Sequence, residues 1–196
     1  MDKKHEVEFR ALITPEVFSS ILEKAKGSTE QAVTGPLFIV DAYFCAKTVT
    51  SFKEIEMDKV GSYSLRLRKE EADGKETSTM NTKIIRSEGD HNAWLEHEIG
   101  ISSFDEGERI LGAIGFKKFF ELRKNRYSFN DNGVHICLED IVDFQPAIEV
   151  EIMTTNDGIE KAKKDLLTYL SKHGIDEQMI VKKSVTNILM RERAKF

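Results

Sequence analysis

Five stretches of this chain alternate strictly between apolar and polar or charged side chains, and this pattern constrains the fold more than any other feature. Glu6, Glu8 and Arg10 alternate with Val7 and Phe9. Arg66 and Arg68 alternate with Leu65 and Leu67. Glu96 and Glu98 alternate with Leu95, His97 and Ile99. His135, Cys137 and Glu139 alternate with Val134, Ile136 and Leu138, and Glu149 and Glu151 with Ile148, Val150 and Ile152. A period of two is that of an extended strand, whose successive side chains point to opposite faces. A sheet with one face on a core and the other in water would give the same pattern, and antiparallel sheets commonly do. Two features point further. The strands sort by sign, since "SLRLRK" is basic while "LEHEI" and "IEVEI" are acidic. There are also enough such strands for a sheet to close on itself, with helices covering its apolar exterior.

The remaining elements follow from turn and cap signals. Hairpin turns are expected at Asp73-Gly74 and Asn132-Gly133. Helices are expected near 15–26, 104–114 and 157–173, with a last short one in the tail. Thr14 suits the N-cap and Pro15 the first position of the first helix, and Gly27 suits its stop. Ser103 and Glu106 have the spacing of a capping box. Gly174 ends the third, amphipathic helix. About eight strands joined by turns predict a mainly β, α+β class: an antiparallel sheet or barrel, not a βαβ array. No repeat, low-complexity tract or linker breaks the chain, so a single domain over 1–196 is expected.

A length of 196 residues is enough for a sizeable core. The formal net charge of −5 argues against a protein that coats nucleic acid, while leaving room for a local basic pocket. Cys45 and Cys137 form no disulfide framework and no metal-binding spacing. No apolar run follows the basic residues of "MDKKHEVEFR", and no stretch approaches a membrane span. A reduced, cytoplasmic chain without membrane or nucleic-acid partner is expected, as a monomer or homodimer.

A charged lumen would be costly unless a ligand filled it. Clustered glutamates want a hard divalent cation such as Mg²⁺ or Mn²⁺. Clustered arginines and lysines want an oxyanion, and guanidinium forks suit phosphate. Both sets in one cavity read as a site for a metal and a polyphosphate together.

These segments, in this order, resemble the CYTH family, also called triphosphate tunnel metalloenzymes. The family includes class IV adenylate cyclases, thiamine triphosphatases and inorganic triphosphatases. "EVEFR" resembles the Glu-x-Glu-x-Lys signature, with Glu6, Glu8 and Arg10. "LRLRKE" resembles the paired-arginine strand, with Arg66 and Arg68, and "NTKI" the strand that supplies Lys83. "LEHEIGI" is similar to the acidic strand, with Glu96 and Glu98. "RKNRY" is similar to a Lys-x-Arg segment, with Lys124 and Arg126. "LEDIVDFQPAIEVEI" resembles the closing acidic segment, with Glu139, Glu149 and Glu151, and "KKSVTNILM" the tail. Three positions depart from the pattern. Arg10 stands where the family has Lys, Glu139 stands where it usually has Asp, and "DFQPA" replaces a Gly-rich turn.

The resemblance implies an eight-stranded antiparallel β-barrel forming a charged tunnel, flanked by helices. It implies a small triphosphate substrate and dependence on Mg²⁺ or Mn²⁺. Arg10, Arg66, Arg68, Lys83, Lys124 and Arg126 would bind phosphate, with Arg10, Lys83 and Arg126 as catalytic candidates. Glu6, Glu8, Glu139, Glu149 and Glu151 would hold metal, with Glu96 and Glu98 as secondary acidic candidates. A second metal would be available to activate the attacking water. The favoured activity is hydrolysis of inorganic triphosphate, thiamine triphosphate or a nucleoside triphosphate. A class IV cyclase would use the ribose 3′-hydroxyl as attacker and release pyrophosphate. The same residues would also suit a protein that binds triphosphate without turnover, or a structural barrel with no ligand. His97 is expected on the apolar face, His135 as a neutral filler, and His5, His91 and His173 on the surface. Trp94 is expected to pack, and Asp41 and Tyr43 to lie near the tunnel.

Overall fold

The computed structural model describes residues 5–57, 59–85, 94–181 and 184–196. These residues form eight strands: β1 (His5–Leu12), β2 (Thr34–Ala46), β3 (Tyr63–Ala72), β4 (Lys75–Ile85), β5 (Trp94–Ile101), β6 (Phe116–Asp131), β7 (Val134–Ile141) and β8 (Ala147–Thr154). Four α-helices accompany them: α1 (Pro15–Gly27), α2 (Phe104–Ala113), α3 (Ile159–Lys172) and α4 (Val185–Arg193). None of these helices is long and apolar enough to cross a membrane. The mainly β class with flanking helices is as expected.

The hydrogen-bonding order is β1-β8-β7-β6-β2-β3-β4-β5. The β1–β8, β7–β8, β6–β7, β2–β3, β3–β4 and β4–β5 ladders are all antiparallel. The closed barrel is corrected: no ladder joins β1 to β5 among the described residues, so the hydrogen-bonded sheet is open. On the β1 side there is a local reason. Part of the outer edge of β1 is taken by the segment after α3, where Ala11 bridges Ile180 and Val181 N–H donates to Arg10 O at 2.8 Å. A backbone edge already paired in this way offers fewer groups to another strand.

The chain divides into two compact units, Met1–Leu37 with Lys124–Val185 and Phe38–Arg123 with Thr186–Phe196. In the first, the apolar face of β1, β7 and β8 packs with α1 and α3. Ala11, Ile136, Leu138, Ile148, Val150 and Leu166 are each at most 1% exposed there. The amphipathic helices form where their caps allow. Thr14 Oγ1 accepts from Val17 N–H at 3.3 Å, and Pro15 opens α1. In the second unit, Val40, Ala42, Phe44 and Leu67 pack with Phe104 and Leu111 of α2. Ser103 Oγ accepts from Glu106 N–H at 3.2 Å. The Glu106 carboxylate pairs with Arg109. The β3–β4 and β6–β7 hairpins turn where expected, with φ of 51° and 71° at Asp73-Gly74 and 49° and 82° at Asn132-Gly133. Two consecutive positive φ values are what a tight two-residue hairpin demands.

Candidate functional site

Strand register in the first unit lines up the polar side chains in cross-strand rows. Glu8 lies opposite Glu151, which lies opposite His135. Arg10 lies opposite Glu149, then Cys137, then Ser128. Glu139 lies opposite Arg126. Registered partners point to the same face of a sheet, so these groups share the face away from α1 and α3. The ion pairs follow the register. Arg10 Nη2 donates to Glu8 Oε2 at 2.7 Å, and Arg10 Nε donates to Glu149 Oε2. Lys124 Nζ and Arg126 Nε donate to Glu139 Oε1 at 2.6 and 3.0 Å. Lys124 is only 4% exposed.

The electrostatics divide these acids into two kinds. Burial pushes the Glu139 carboxyl up, but Lys124 and Arg126 overcome it and hold the group below the usual glutamate range. Glu8 is pushed above that range by burial and by its neighbours Glu149 and Glu6, against the pull of Arg10. Glu151 is raised by burial, Glu6 and Glu149, against His135 and Arg10. Carboxylates that repel one another in a half-buried place favour a proton or a cation between them. Glu6, Glu8 and Glu151 each bring one carboxylate oxygen into a group lying within 4.8 Å of one another. Three such oxygens are a donor set that fits a hard divalent cation.

In the second unit, Asp41 is 1% exposed and organises two arginines. Arg68 donates to it through Nε at 2.7 Å and Nη2 at 2.9 Å. Its guanidinium is thereby raised further, although burial opposes this. Arg66 Nε lies 3.8 Å from Asp41 Oδ1 and is buried without a hydrogen-bond acceptor. Register sets Tyr43, Arg66, Asn81 and Glu98 in one row, and Ser64, Lys83 and Glu96 in another. Lys83 Nζ is 3.3 Å from Glu96 Oε2. Asn81 Nδ2 donates to Glu96 Oε1 at 2.6 Å.

The first unit thus brings together Glu6, Glu8, Arg10, Glu149, Glu151, Glu139, Lys124 and Arg126, and the second brings together Arg66, Arg68, Lys83, Glu96 and Glu98. Asn81 was missed, although its alternation with Met80 and Thr82 places it on the face of Lys83. Asp41 lacked a role because its partner Arg68 is distant in sequence. His97 lies on the face of Leu95 and Ile99, as expected, but that face is open at this strand: His97 is exposed and Ile99 is 60% exposed. His5 and His173 are half-buried rather than superficial, and the His173 ring lies 4.8 Å from that of Tyr169. His135 faces Glu151, with Nδ1 3.2 Å from Asn130 Oδ1. The readings of His91 and of the Trp94 side chain fall outside the described residues, as do Lys182 and Lys183 of the tail segment.

An eight-stranded antiparallel sheet with flanking helices, its polar faces carrying registered rows of acids and bases, defines the class of protein. The CYTH domain model matches residues 4–185, and the chain belongs to that family. The family acts on triphosphate substrates with a divalent cation. Solved structures agree on the fold. A protein of Pyrococcus horikoshii OT3 superposes with a TM-score of 0.70 at 21% identity, covering 96% of this chain and 100% of its own. A protein of Vibrio parahaemolyticus, titled as a candidate adenylate cyclase, gives 0.65 at 19%, covering 94% and 97%. One of Bacillus halodurans with the same designation gives 0.60 at 16%, also covering 94% and 97%. No curated protein matches the chain.

Proposed function

We propose that this protein is a divalent-cation-dependent hydrolase of a small triphosphate-bearing substrate: inorganic triphosphate, thiamine triphosphate or a nucleoside triphosphate. The observation that carries this reading is the acidic group Glu6, Glu8 and Glu151, set by register beside strands that present Lys124 and Arg126. In this reading the three glutamates hold Mg²⁺ or Mn²⁺. When bound, such a cation neutralises phosphate oxygens and lowers the pKa of a coordinated water. Lys124 and Arg126, in the same unit as these glutamates, bind phosphate oxygens and stabilise the charge that grows on the leaving group. In the second unit, Arg66 and Lys83 have the chemistry to bind phosphate, and the buried Nε of Arg66 has a hydrogen bond still to give. Arg68 has spent its fork on Asp41 and supports the strand that carries Arg66. Arg10 orients Glu8 and Glu149. We place this chemistry in the cytoplasm, in keeping with the unpaired thiols of Cys45 and Cys137.

The second reading is a class IV adenylate cyclase, favoured by the designation of two proteins of the same fold. It needs the same cation and phosphate groups, with the ribose 3′-hydroxyl as attacker. The test is to incubate the purified chain with Mg²⁺ or Mn²⁺ and each of inorganic triphosphate, thiamine triphosphate and ATP. Phosphate, pyrophosphate and cyclic AMP are followed, with Glu151→Gln as control. Phosphate release from one substrate, lost in the variant, is expected. Cyclic AMP with pyrophosphate would instead establish the cyclase. No product from any substrate, with thermal stabilisation by triphosphate, would make it a binder without turnover.

A further inference from the structure

Five glutamates of the first unit have the chemistry to bind metal, yet the structure pairs three of them with internal cations: Glu139 with Lys124 and Arg126, and Glu8 and Glu149 with Arg10. We propose that this chain holds one divalent cation, and that Arg10 takes the place a second would occupy. The inference rests on the metal-dependent reading above.

Arg10 sits directly opposite Glu149 and two residues from Glu8 on the same strand face. Its planar fork reaches both carboxylates at once, Nε to Glu149 and Nη2 to Glu8. A lysine ammonium is a point charge on a flexible stem and is not preorganised to bridge two carboxylates in this way. Register sets Arg10 directly across from Glu149 on the neighbouring strand. Glu139 is further removed from metal binding, because Lys124 and Arg126 both donate to its Oε1.

Charge leads to the same count. Glu6, Glu8, Glu149 and Glu151 with Arg10 carry a formal charge of minus three. One divalent cation on Glu6, Glu8 and Glu151 brings this to minus one. A second would turn it positive and would have to displace the Arg10 guanidinium from Glu149.

The number of bound ions can be read without any turnover. Titrating the unmodified chain with Mn²⁺ and following the free-ion signal by electron paramagnetic resonance gives the stoichiometry directly. One Mn²⁺ per chain is expected. Arg10→Gln, which releases Glu149 and Glu8, is expected to bind two. Glu6→Gln, at an exposed position, is expected to weaken the single site about tenfold or more, on the scale of lost metal-site interactions. Two Mn²⁺ on the unmodified chain would overturn this inference and leave the metal-dependent reading intact. An unchanged count of one in a folded Arg10→Gln variant would also overturn it. No Mn²⁺ bound at millimolar concentration would overturn the metal-dependent reading itself, and this inference with it. The count on the unmodified chain stands whatever the substitution does to folding.

Discussion

Glu139 and Glu151 share one face of adjacent strands yet differ in what they do for the fold. Glu139 is stabilised as an anion by Lys124 and Arg126, against burial. Its folded pKa lies below its unfolded one, so its contribution is complete above the ordinary glutamate range. That contribution is lost as pH falls through the depressed folded value. Breaking a buried pair leaves charge uncompensated, so Glu139→Gln should cost about 3–5 kcal/mol at neutral pH. Urea unfolding across a pH series should show the gap to the unmodified chain closing in acid; a constant gap would remove the ionic explanation. Glu151 is the opposite case, raised by burial and by Glu6 and Glu149. A raised carboxyl costs the fold stability once pH exceeds its unfolded pKa. Glu151→Gln should therefore keep or raise the melting temperature near neutral pH, while losing Mn²⁺ affinity. A large fall in melting temperature would mean that Glu151 is structural.

Elements position these residues through backbone contacts as much as through side chains. Gly35, in β2, has φ +114°, and a Cβ built there would lie 2.5 Å from the Arg126 carbonyl oxygen. The clash is with backbone, which cannot rotate away. Gly35→Ala should cost more than about 2 kcal/mol, from strain at positive φ together with displacement of β6. Unfolding titrations would measure that cost. A loss of phosphate affinity greater than the loss of stability would show that β6 carries Arg126 out of place. The helices matter differently. α1 and α3 cover the apolar face of β1, β7 and β8, opposite the face that carries the charges.

For the whole molecule, net charge sets the long-range field. A formal charge of −5 repels an anion, so triphosphate binding has to come from local cations and from a bound divalent ion. Mn²⁺ and inorganic triphosphate should therefore reinforce one another, each raising affinity for the other. At a hundredfold excess over the dissociation constant, linkage contributes about 2.7 kcal/mol. For a chain of this size that is a rise in melting temperature of about 5–10 °C. Differential scanning fluorimetry should show the pair giving more than the sum of the two alone. Strict additivity would mean that they bind at unconnected places.

The sequence alone determined the strands, the caps, the two hairpin turns and the face on which each charge lies. These are local properties: a period of two, a Thr before a Pro, an Asn before a Gly. Family membership was legible as well, because the motifs occur as short segments in order. Pairing was not legible. That Arg10 reaches Glu149, that Asp41 anchors Arg68, and that Glu139 serves Lys124 and Arg126 all depend on register between strands remote in the chain. The open sheet was equally invisible, because which strand edges pair is decided by competition among distant segments. Alternation marks a side chain as facing the charged side; only tertiary structure shows which opposite charge it meets there.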